Sequence, residues 1–126
     1  MKRGFTYVDD VAIAVVKLID HSAVGNEAWS GDDPDPASSR APWRIYNIGN
    51  HTPVELMDVV RLLEEALGKT ALKELLPMQP GDVQSTSADI EATTRDLGWR
   101  PTTTIDAGLP PLVEWCRGYY GDRPEA

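Results

Sequence analysis

The sequence predicts an α/β fold, or an α+β fold for this chain by itself, with a small sheet of two or three strands and about four helices. Strand-like and helical segments alternate along the 126 residues without an internal repeat. Helical patterns end in glycine at Gly68 and Gly98, which is typical of helix C-termini. Since a chain of this length forms at most one domain, we treat residues 1–126 as a single unit.

The first segment predicts a strand followed by a helix. Residues 3–8 are rich in aromatic and β-branched side chains, and residues 11–19 carry apolar side chains at helical spacing. Asp9 and Asp10 lie between them, where either carboxylate can cap the helix. Residues 25–42 show no periodicity, so they predict a long surface loop, and unstructured loops beyond about 15 residues are usually functional or disordered.

The middle of the chain predicts a second strand and a second helix. Residues 43–48 place Ile45, Tyr46 and Ile48 on both faces, which indicates a strand buried on both sides. The stretch 52–55, Thr-Pro-Val-Glu, matches a capping box with proline at the first helical position. We therefore expect a helix that begins at Pro53 and ends at Gly68.

The last part predicts a short strand at residues 73–78, a helix at residues 89–97 and a final helix. In the helix at 89–97 we expect three inward side chains, Ile90, Thr94 and Leu97. Because proline inside a helix costs about 3 kcal/mol, the final helix is expected to begin at or after Leu109. Its apolar stripe predicts burial of Leu112, Trp115, Cys116 and Tyr119, with Glu114 and Arg117 outside.

Composition limits the classes of partner. Twenty acidic residues against 12 basic ones give a formal charge of −8 with no visible basic cluster, which argues against nucleic acid. The longest apolar stretch, residues 11–19, is interrupted by Lys17 and is too short for a membrane span, and no signal-peptide core follows Met1. We expect a cytoplasmic chain without a membrane partner. The single Cys116 excludes an internal disulfide.

Catalytic and cofactor motifs are missing from the sequence. It has no Gly-rich dinucleotide fingerprint after a strand and no Tyr-x-x-x-Lys pair, and no lysine follows Tyr119 or Tyr120. The sequence therefore predicts no catalytic residue and no cofactor site in this chain.

A metal site is not predicted either. The acidic loop with Asp32, Asp33 and Asp35 lacks the alternating spacing, central glycine and closing glutamate of a calcium loop. His21 and His51 share no ligand motif with each other or with Cys116. A solvated loop and isolated histidines are the favoured interpretations.

Four motifs in order carry a resemblance to a known family. They are residues 3–10 (RGFTYVDD), 46–56 (YNIGN followed by PVEL), 78–83 (MQPGDV) and 96–101 (DLGWRP). Together they resemble the carboxyl-terminal third of sugar-nucleotide epimerases of the extended short-chain dehydrogenase/reductase superfamily. The insertion at 29–36 and Met78-Gln79 before Pro-Gly-Asp look most like the UDP-glucuronate 4-epimerases within the NAD-dependent epimerase/dehydratase family.

The resemblance implies roles for individual residues. Arg3 matches the arginine that contacts the UDP diphosphate, and Asp82 matches the acid that accepts hydrogen bonds from the ribose or its supporting amides. Asp10 matches a structural residue that caps a helix behind the substrate wall. Gly4 departs from the aspartate that is common there, which we expect to loosen the turn that aims Arg3, and the prolines at 110 and 111 depart as well.

The resemblance also implies what lies outside this chain. The NAD-binding Rossmann domain and the Tyr/Lys catalytic pair would belong to an amino-terminal part, and the strand at 43–48 would join its parallel sheet. The leading hypothesis is thus a UDP-sugar-binding portion, with UDP-glucuronate as the sugar nucleotide, that does not catalyse alone. An amino-terminal NAD-binding domain or self-association would complete the fold. The alternatives are a docking or regulatory module for a separate NAD-binding chain and an inactive relic.

Overall fold

A computed structural model describes residues 1–121 and shows an α/β arrangement of four helices and a two-stranded sheet. In chain order the elements are β1 (Lys2–Arg3), α1 (Val8–Ile19), β2 (Val54–Glu55), α2 (Leu56–Leu67), α3 (Glu91–Leu97) and α4 (Ile105–Tyr120). The predicted class, helix number and small sheet are confirmed. Several predicted boundaries are not.

The sheet forms around the amino terminus. β1 and β2 are antiparallel, with Lys2 opposite Glu55 and Arg3 opposite Val54. On its other side Lys2 bridges in parallel to Ser85. The predicted strand at residues 73–78 is wrong: that stretch carries no strand, and the backbone that pairs with β1 on this side is at residues 84–86. Apolar composition at 73–78 favours a strand, but pairing requires a neighbouring backbone.

The predicted strand at residues 43–48 is also wrong. Only Arg44 forms a bridge, to Ser38, and Ile45 donates its N–H to the Ala37 carbonyl at 2.9 Å. Trp43 and Ile45 are exposed, which contradicts burial on both faces. A β-branched run becomes a strand only beside other strands, and residues 1–121 offer none here.

The observed helix starts differ from those that the N-capping residues predicted, whereas the observed ends of α2 and α3 agree with the predicted glycine ends. α1 begins at Val8 with Tyr7 at its N-cap, so neither Asp9 nor Asp10 caps it. α2 begins at Leu56 and not at Pro53, because Val54–Glu55 pairs with β1 first. The ends of α2 and α3 at glycine are confirmed, since both glycines are left-handed, with φ of +66° and +58°.

α4 runs without a break from Ile105 to Tyr120, so the prediction that it starts at or after Leu109 is wrong. Proline has no N–H, and Pro110 and Pro111 therefore leave two helix carbonyls without their usual donors. Both prolines are exposed, where water can hydrogen-bond those carbonyls. Packing of the opposite side of the helix then outweighs the local penalty.

The buried face of α4 is rotated from the predicted one. The buried residues are Gly108, Leu109 and Val113, whereas Leu112, Trp115 and Tyr119 of the predicted stripe are exposed and Cys116 is half-buried. Glu114 and Arg117 are exposed as predicted. α4 packs against α2 along this buried face.

The core lies between α1 and α3. Ala14, Ile90, Leu97 and Trp99 form its centre, and Leu18, Ile48 and Ala88 pack around them. In α3 the inward threonine is Thr93 and not the predicted Thr94, since Thr93 is 1% exposed and its Oγ1 donates to the Asn47 carbonyl at 2.7 Å. None of the helices in residues 1–121 combines the length and the apolar character needed to cross a membrane.

Candidate functional site

Arg3 lies on β1 and contacts the residue that follows Asp82, the second predicted site residue. Its Nη1 donates to the Lys2 carbonyl and to the Val83 carbonyl, both at 2.9 Å. Within residues 1–121 the hydrogen bonds of this guanidinium use Nη1 alone, which leaves the donors on Nε and Nη2 for a ligand. The fold thus anchors Arg3 to the residue that follows Asp82, although the two predicted site residues are far apart in the chain.

The turn at Gln79–Asp82 presents Asp82 at the surface. The Asp82 amide donates to the Gln79 carbonyl at 3.1 Å, so the backbone closes the turn and the exposed carboxylate is not required for it. Beside this turn lies an open cleft of about 530 Å³ whose lining includes Lys2, Met78 and Gln84. Arg3 and Asp82 therefore belong to one loop-and-strand region, but neither of them lines this cleft.

Gly4 has a packing role that the sequence did not indicate. A Cβ built on Gly4 would lie 2.6 Å from the Asn50 carbonyl oxygen, far inside contact distance. That carbonyl also accepts the Ala88 amide at 3.1 Å, while the Asn50 amide donates to Thr6 Oγ1 at 2.9 Å. Glycine at this position lets three segments meet directly behind Arg3.

Asp10 holds the segment that leads into α4. Its carboxylate accepts hydrogen bonds from the Thr103 amide at 2.9 Å and from the Thr102 amide and hydroxyl at 3.3 and 3.2 Å, and its carbonyl accepts Trp99 Nε1 at 3.0 Å. Burial alone would raise the pKa of Asp10, but the hydrogen bonds from Thr103 and Thr102 lower it below its ordinary value. A structural role was expected for Asp10; its partners are two threonines more than 90 residues away.

A polar cluster absent from the sequence interpretation joins α3 to residues 43–48. Tyr46 donates to Asp96 at 3.1 Å and lies 3.2 Å from His21 Nε2. Asp96 also accepts Arg95 Nε at 2.8 Å and has Arg44 Nε at 3.0 Å, an ion pair without the alignment of a hydrogen bond. Tyr46 is 25 positions from His21 and 50 from Asp96, so although Tyr46 and Asp96 each begin one of the family motifs, only the fold shows that these side chains meet.

The electrostatics of this cluster indicate a structural role. The hydrogen bond from Arg95 lowers the pKa of Asp96, while burial, followed by the bond to Asp96, raises the pKa of Tyr46. A tyrosine with a raised pKa stays protonated at neutral pH and is no base. The cluster therefore joins the 43–48 segment to α3.

The long loop at residues 25–42 is folded on itself by hydrogen bonds. The Asn26 amide donates to the Ser39 carbonyl at 2.8 Å, and Ser38 Oγ donates to Asp35 at 2.6 Å. Trp29 Nε1 donates to the Asp35 carbonyl at 3.1 Å. Asp35, one of the three aspartates of the acidic loop, thus holds the loop together. Residues 1–121 contain no group of three His, Cys, Asp or Glu side chains placed to hold a metal ion.

A second cavity, of about 370 Å³, lies between α1, α2 and α4. It is lined mainly by apolar side chains, among them Phe5, Tyr7, Leu63 and Leu109. Neither predicted site residue lines it, so it is not part of the Arg3 region.

Relatives in sequence match nearly the whole chain. Protein CapI of Staphylococcus aureus is 48% identical over 120 residues, which cover 95% of this chain and 36% of that protein. UDP-glucuronate 4-epimerase 6 of Arabidopsis thaliana is 38% identical over 123 residues, 97% of this chain and 26% of that protein. No protein-family model matches the chain.

Solved structures agree with the sequence relatives. UDP-glucuronic acid 4-epimerase from Bacillus cereus, in complex with UDP-glucuronic acid and NAD, gives a TM-score of 0.68 at 25% identity over 93% of this chain and 32% of that one. UDP-glucose 4-epimerase from Bifidobacterium longum, in complex with NAD+ and UDP, gives 0.69 at 22% identity over 95% and 31%. The chain is thus a relative of the UDP-glucuronate 4-epimerases, it spans about one third of their length, and it has the fold of the corresponding third of these UDP-sugar epimerase structures.

Proposed function

We propose that this chain is the UDP-sugar-binding portion of a nucleotide-sugar 4-epimerase, that UDP-glucuronate is its sugar nucleotide, and that it does not catalyse alone. The observation that carries the proposal is the position of Arg3. Its Nη1 is held by the carbonyl of Val83, the residue after Asp82, while the donors on Nε and Nη2 make no hydrogen bond within residues 1–121. Support comes from the relatives named UDP-glucuronate 4-epimerase and from the Bacillus cereus structure that holds UDP-glucuronic acid.

The chemistry of the two residues suits the two halves of a UDP ligand. A guanidinium presents a planar fork of donors that matches phosphate oxygens, and its charge strengthens each hydrogen bond. With Nη1 of Arg3 held by backbone carbonyls, the fork is ordered before the ligand arrives. The exposed Asp82 carboxylate is an acceptor for a ribose hydroxyl or for the amides that support it.

NAD does not fit the residues of this chain. The sequence has no glycine-rich loop between a strand and a helix, and the two strands of the described structure form no nucleotide-binding crossover. These residues therefore supply no hydride-transfer step. Epimerisation would require an NAD-binding segment outside these residues.

The second candidate, a docking module for a separate NAD-binding chain, is favoured by α1. Most side chains of α1 are apolar, yet Ile13, Val16 and Ile19 are at least half exposed. A partner that covers this surface would remove the apolar area from water. Copurification with the NAD-binding part of a relative tests this idea, with Val16→Glu as the disruptive variant and Leu72→Glu, at a fully exposed position, as the control.

Calorimetry with UDP and UDP-glucuronate tests the binding proposal. Arg3→Ala should remove roughly 1.5–3 kcal/mol of binding free energy because a charge-assisted contact is lost. Arg100→Ala, at an exposed arginine outside the site, should leave affinity unchanged. Lys17 is unsuitable as a control because its Nζ donates to the Leu97 carbonyl at 3.3 Å and so supports the end of α3.

The variants also separate direct contact from support of the turn. Asp82→Asn keeps the backbone bond that closes the turn, so a loss of affinity would assign the carboxylate to the ligand. Equal affinity of the wild type and Arg3→Ala would assign Arg3 to the turn alone. Failure to bind UDP even with the NAD-binding part present would favour a relic, and turnover by the purified chain would refute the non-catalytic assignment.

A further inference from the structure

The linker that follows Arg3 has few hydrogen bonds of its own. β1 ends at Arg3, and the next two residues, Gly4 and Phe5, make no hydrogen bond within residues 1–121. Glycine has a wider range of backbone angles than any other residue, so Gly4 does not by itself fix the direction in which the chain leaves Arg3. Contacts with other segments have to set that direction.

Thr6 makes the first hydrogen bond after Arg3 that ties this linker to another segment. Its Oγ1 accepts a hydrogen bond from the Asn50 amide at 2.9 Å. The Asn50 carbonyl accepts one from the Ala88 amide at 3.1 Å, and Asn50 Oδ1 accepts one from the Thr52 amide at 2.9 Å. Asn50 is thus held at three of its atoms, which makes it a firm support for Thr6.

Close packing joins the linker to this support. A Cβ built on Gly49 would lie 2.7 Å from Ala88 Cβ. A Cβ built on Gly4 would lie 2.6 Å from the Asn50 carbonyl oxygen and 3.5 Å from the Thr86 carbonyl oxygen. The linker therefore passes closely between residues 50 and 86, so a shift of Asn50 moves the linker as well.

Arg3 is tied to the stretch at residues 83–88 from both of its ends. The side chain reaches it directly, because Nη1 donates to the Val83 carbonyl at 2.9 Å. The backbone reaches it through Thr6, whose partner accepts the amide of Ala88. Because both connections end on the same stretch, the contact at Thr6 sets the direction in which Nε and Nη2 of Arg3 point.

We propose that Thr6 is a positioning residue for Arg3, and that its hydrogen bond with Asn50 aims the free donors of the guanidinium at the diphosphate of a UDP ligand. This role rests on the proposed binding of UDP. A guanidinium gains most from phosphate when two parallel N–H groups meet two oxygens, and hydrogen bonds weaken steeply as their angle departs from linear. Thr6 therefore acts on UDP affinity only through Arg3.

Calorimetric titration of the full chain with UDP tests this role. Thr6→Val keeps the shape of the side chain but removes the acceptor of the Asn50 amide, so the dissociation constant of UDP should rise about 3–10-fold. Thr6→Ser keeps the hydroxyl and should stay within about twofold of the wild type. Thr94→Val, the same substitution on the exposed side of α3, should leave the dissociation constant unchanged.

A double-mutant cycle separates positioning of Arg3 from general loosening of the fold. With Arg3 replaced by alanine, Thr6→Val should change the dissociation constant by less than about 1.5-fold, because no guanidinium is left to aim. A variant that only loosens the fold would weaken UDP binding equally in both backgrounds. Melting curves of each variant show that all titrations are made on folded protein.

The contrary outcomes distinguish the positioning role from the binding proposal. If Arg3→Ala weakens UDP binding and Thr6→Val does not, the positioning role is wrong and the binding proposal stands. Equal effects of Thr6→Val in the two backgrounds, or a Thr6→Ser variant as weak as Thr6→Val, would also overturn the positioning role. A chain that binds no UDP, or that binds it equally well after Arg3→Ala, would overturn the positioning role together with the assignment of Arg3 to the ligand.

Discussion

Replacement of Asp10 by asparagine is the sharpest test of how the fold is held together. Asp10 is 3% exposed, and its carboxylate accepts three hydrogen bonds from Thr102 and Thr103. Hydrogen bonds to a charged group contribute about 1.5–3 kcal/mol each, and a buried donor left without an acceptor costs about 1–3 kcal/mol. Asparagine keeps the shape of the side chain and one acceptor oxygen. Its NH₂ group, however, would face one of the donors of Thr102 or Thr103 and cannot accept a hydrogen bond from it. We expect a loss of about 3 kcal/mol in the free energy of unfolding.

Urea unfolding followed by tryptophan fluorescence measures this loss. With a dependence of about 1–3 kcal/mol per molar urea for a small protein, the midpoint should fall by roughly 1–3 M. Asp9→Asn is the matched control, since Asp9 is exposed in the same helical turn and contributes only about 0.3–1 kcal/mol through the helix dipole.

The pH dependence of the free energy of unfolding shows whether the ionised carboxylate of Asp10 provides this stabilisation. The folded-state pKa of Asp10 is below its ordinary value of 3.8, so its stabilisation is present above that value and is lost as pH falls through the folded pKa. The difference between the wild type and Asp10→Asn should therefore shrink in acid. Equal losses for Asp9→Asn and Asp10→Asn, or a difference that stays constant down to about pH 2, would refute this reasoning.

Two further stability predictions test the other corrections to the fold. Thr93→Val should lower the free energy of unfolding by about 1–3 kcal/mol because it leaves the Asn47 carbonyl without its donor. Thr94→Val, on the exposed side of α3, should change it by no more than about 0.5 kcal/mol. Equal effects of the two variants in urea unfolding would contradict the observed buried face of α3. Replacement of both Pro110 and Pro111 by alanine should raise stability by about 1–3 kcal/mol, since the two restored helix donors outweigh the conformational entropy that the unfolded chain gains. A lower melting temperature would show that the prolines shape α4.

The sequence alone predicted the fold class, the ends of α2 and α3 and the resemblance to the UDP-glucuronate 4-epimerases. Helix ends at Gly68 and Gly98 were predictable because a left-handed C-cap depends on the local backbone, where glycine has no Cβ to clash. The four ordered motifs pointed to the UDP-glucuronate 4-epimerases, and a relative of that name that is 38% identical over 97% of this chain agrees. The roles of Arg3 and Asp82 in ligand binding stay predictions until UDP binding is measured.

The tertiary structure decided everything that depends on a distant neighbour. Residues 43–48 and 73–78 look like strands, but strand formation requires a paired backbone, and β1 pairs with residues 54–55 and 84–86. α4 tolerates Pro110 and Pro111 because its opposite face packs on α2. Local propensities amount to a few kcal/mol, so long-range pairing and burial override them, and no window of sequence contains those partners.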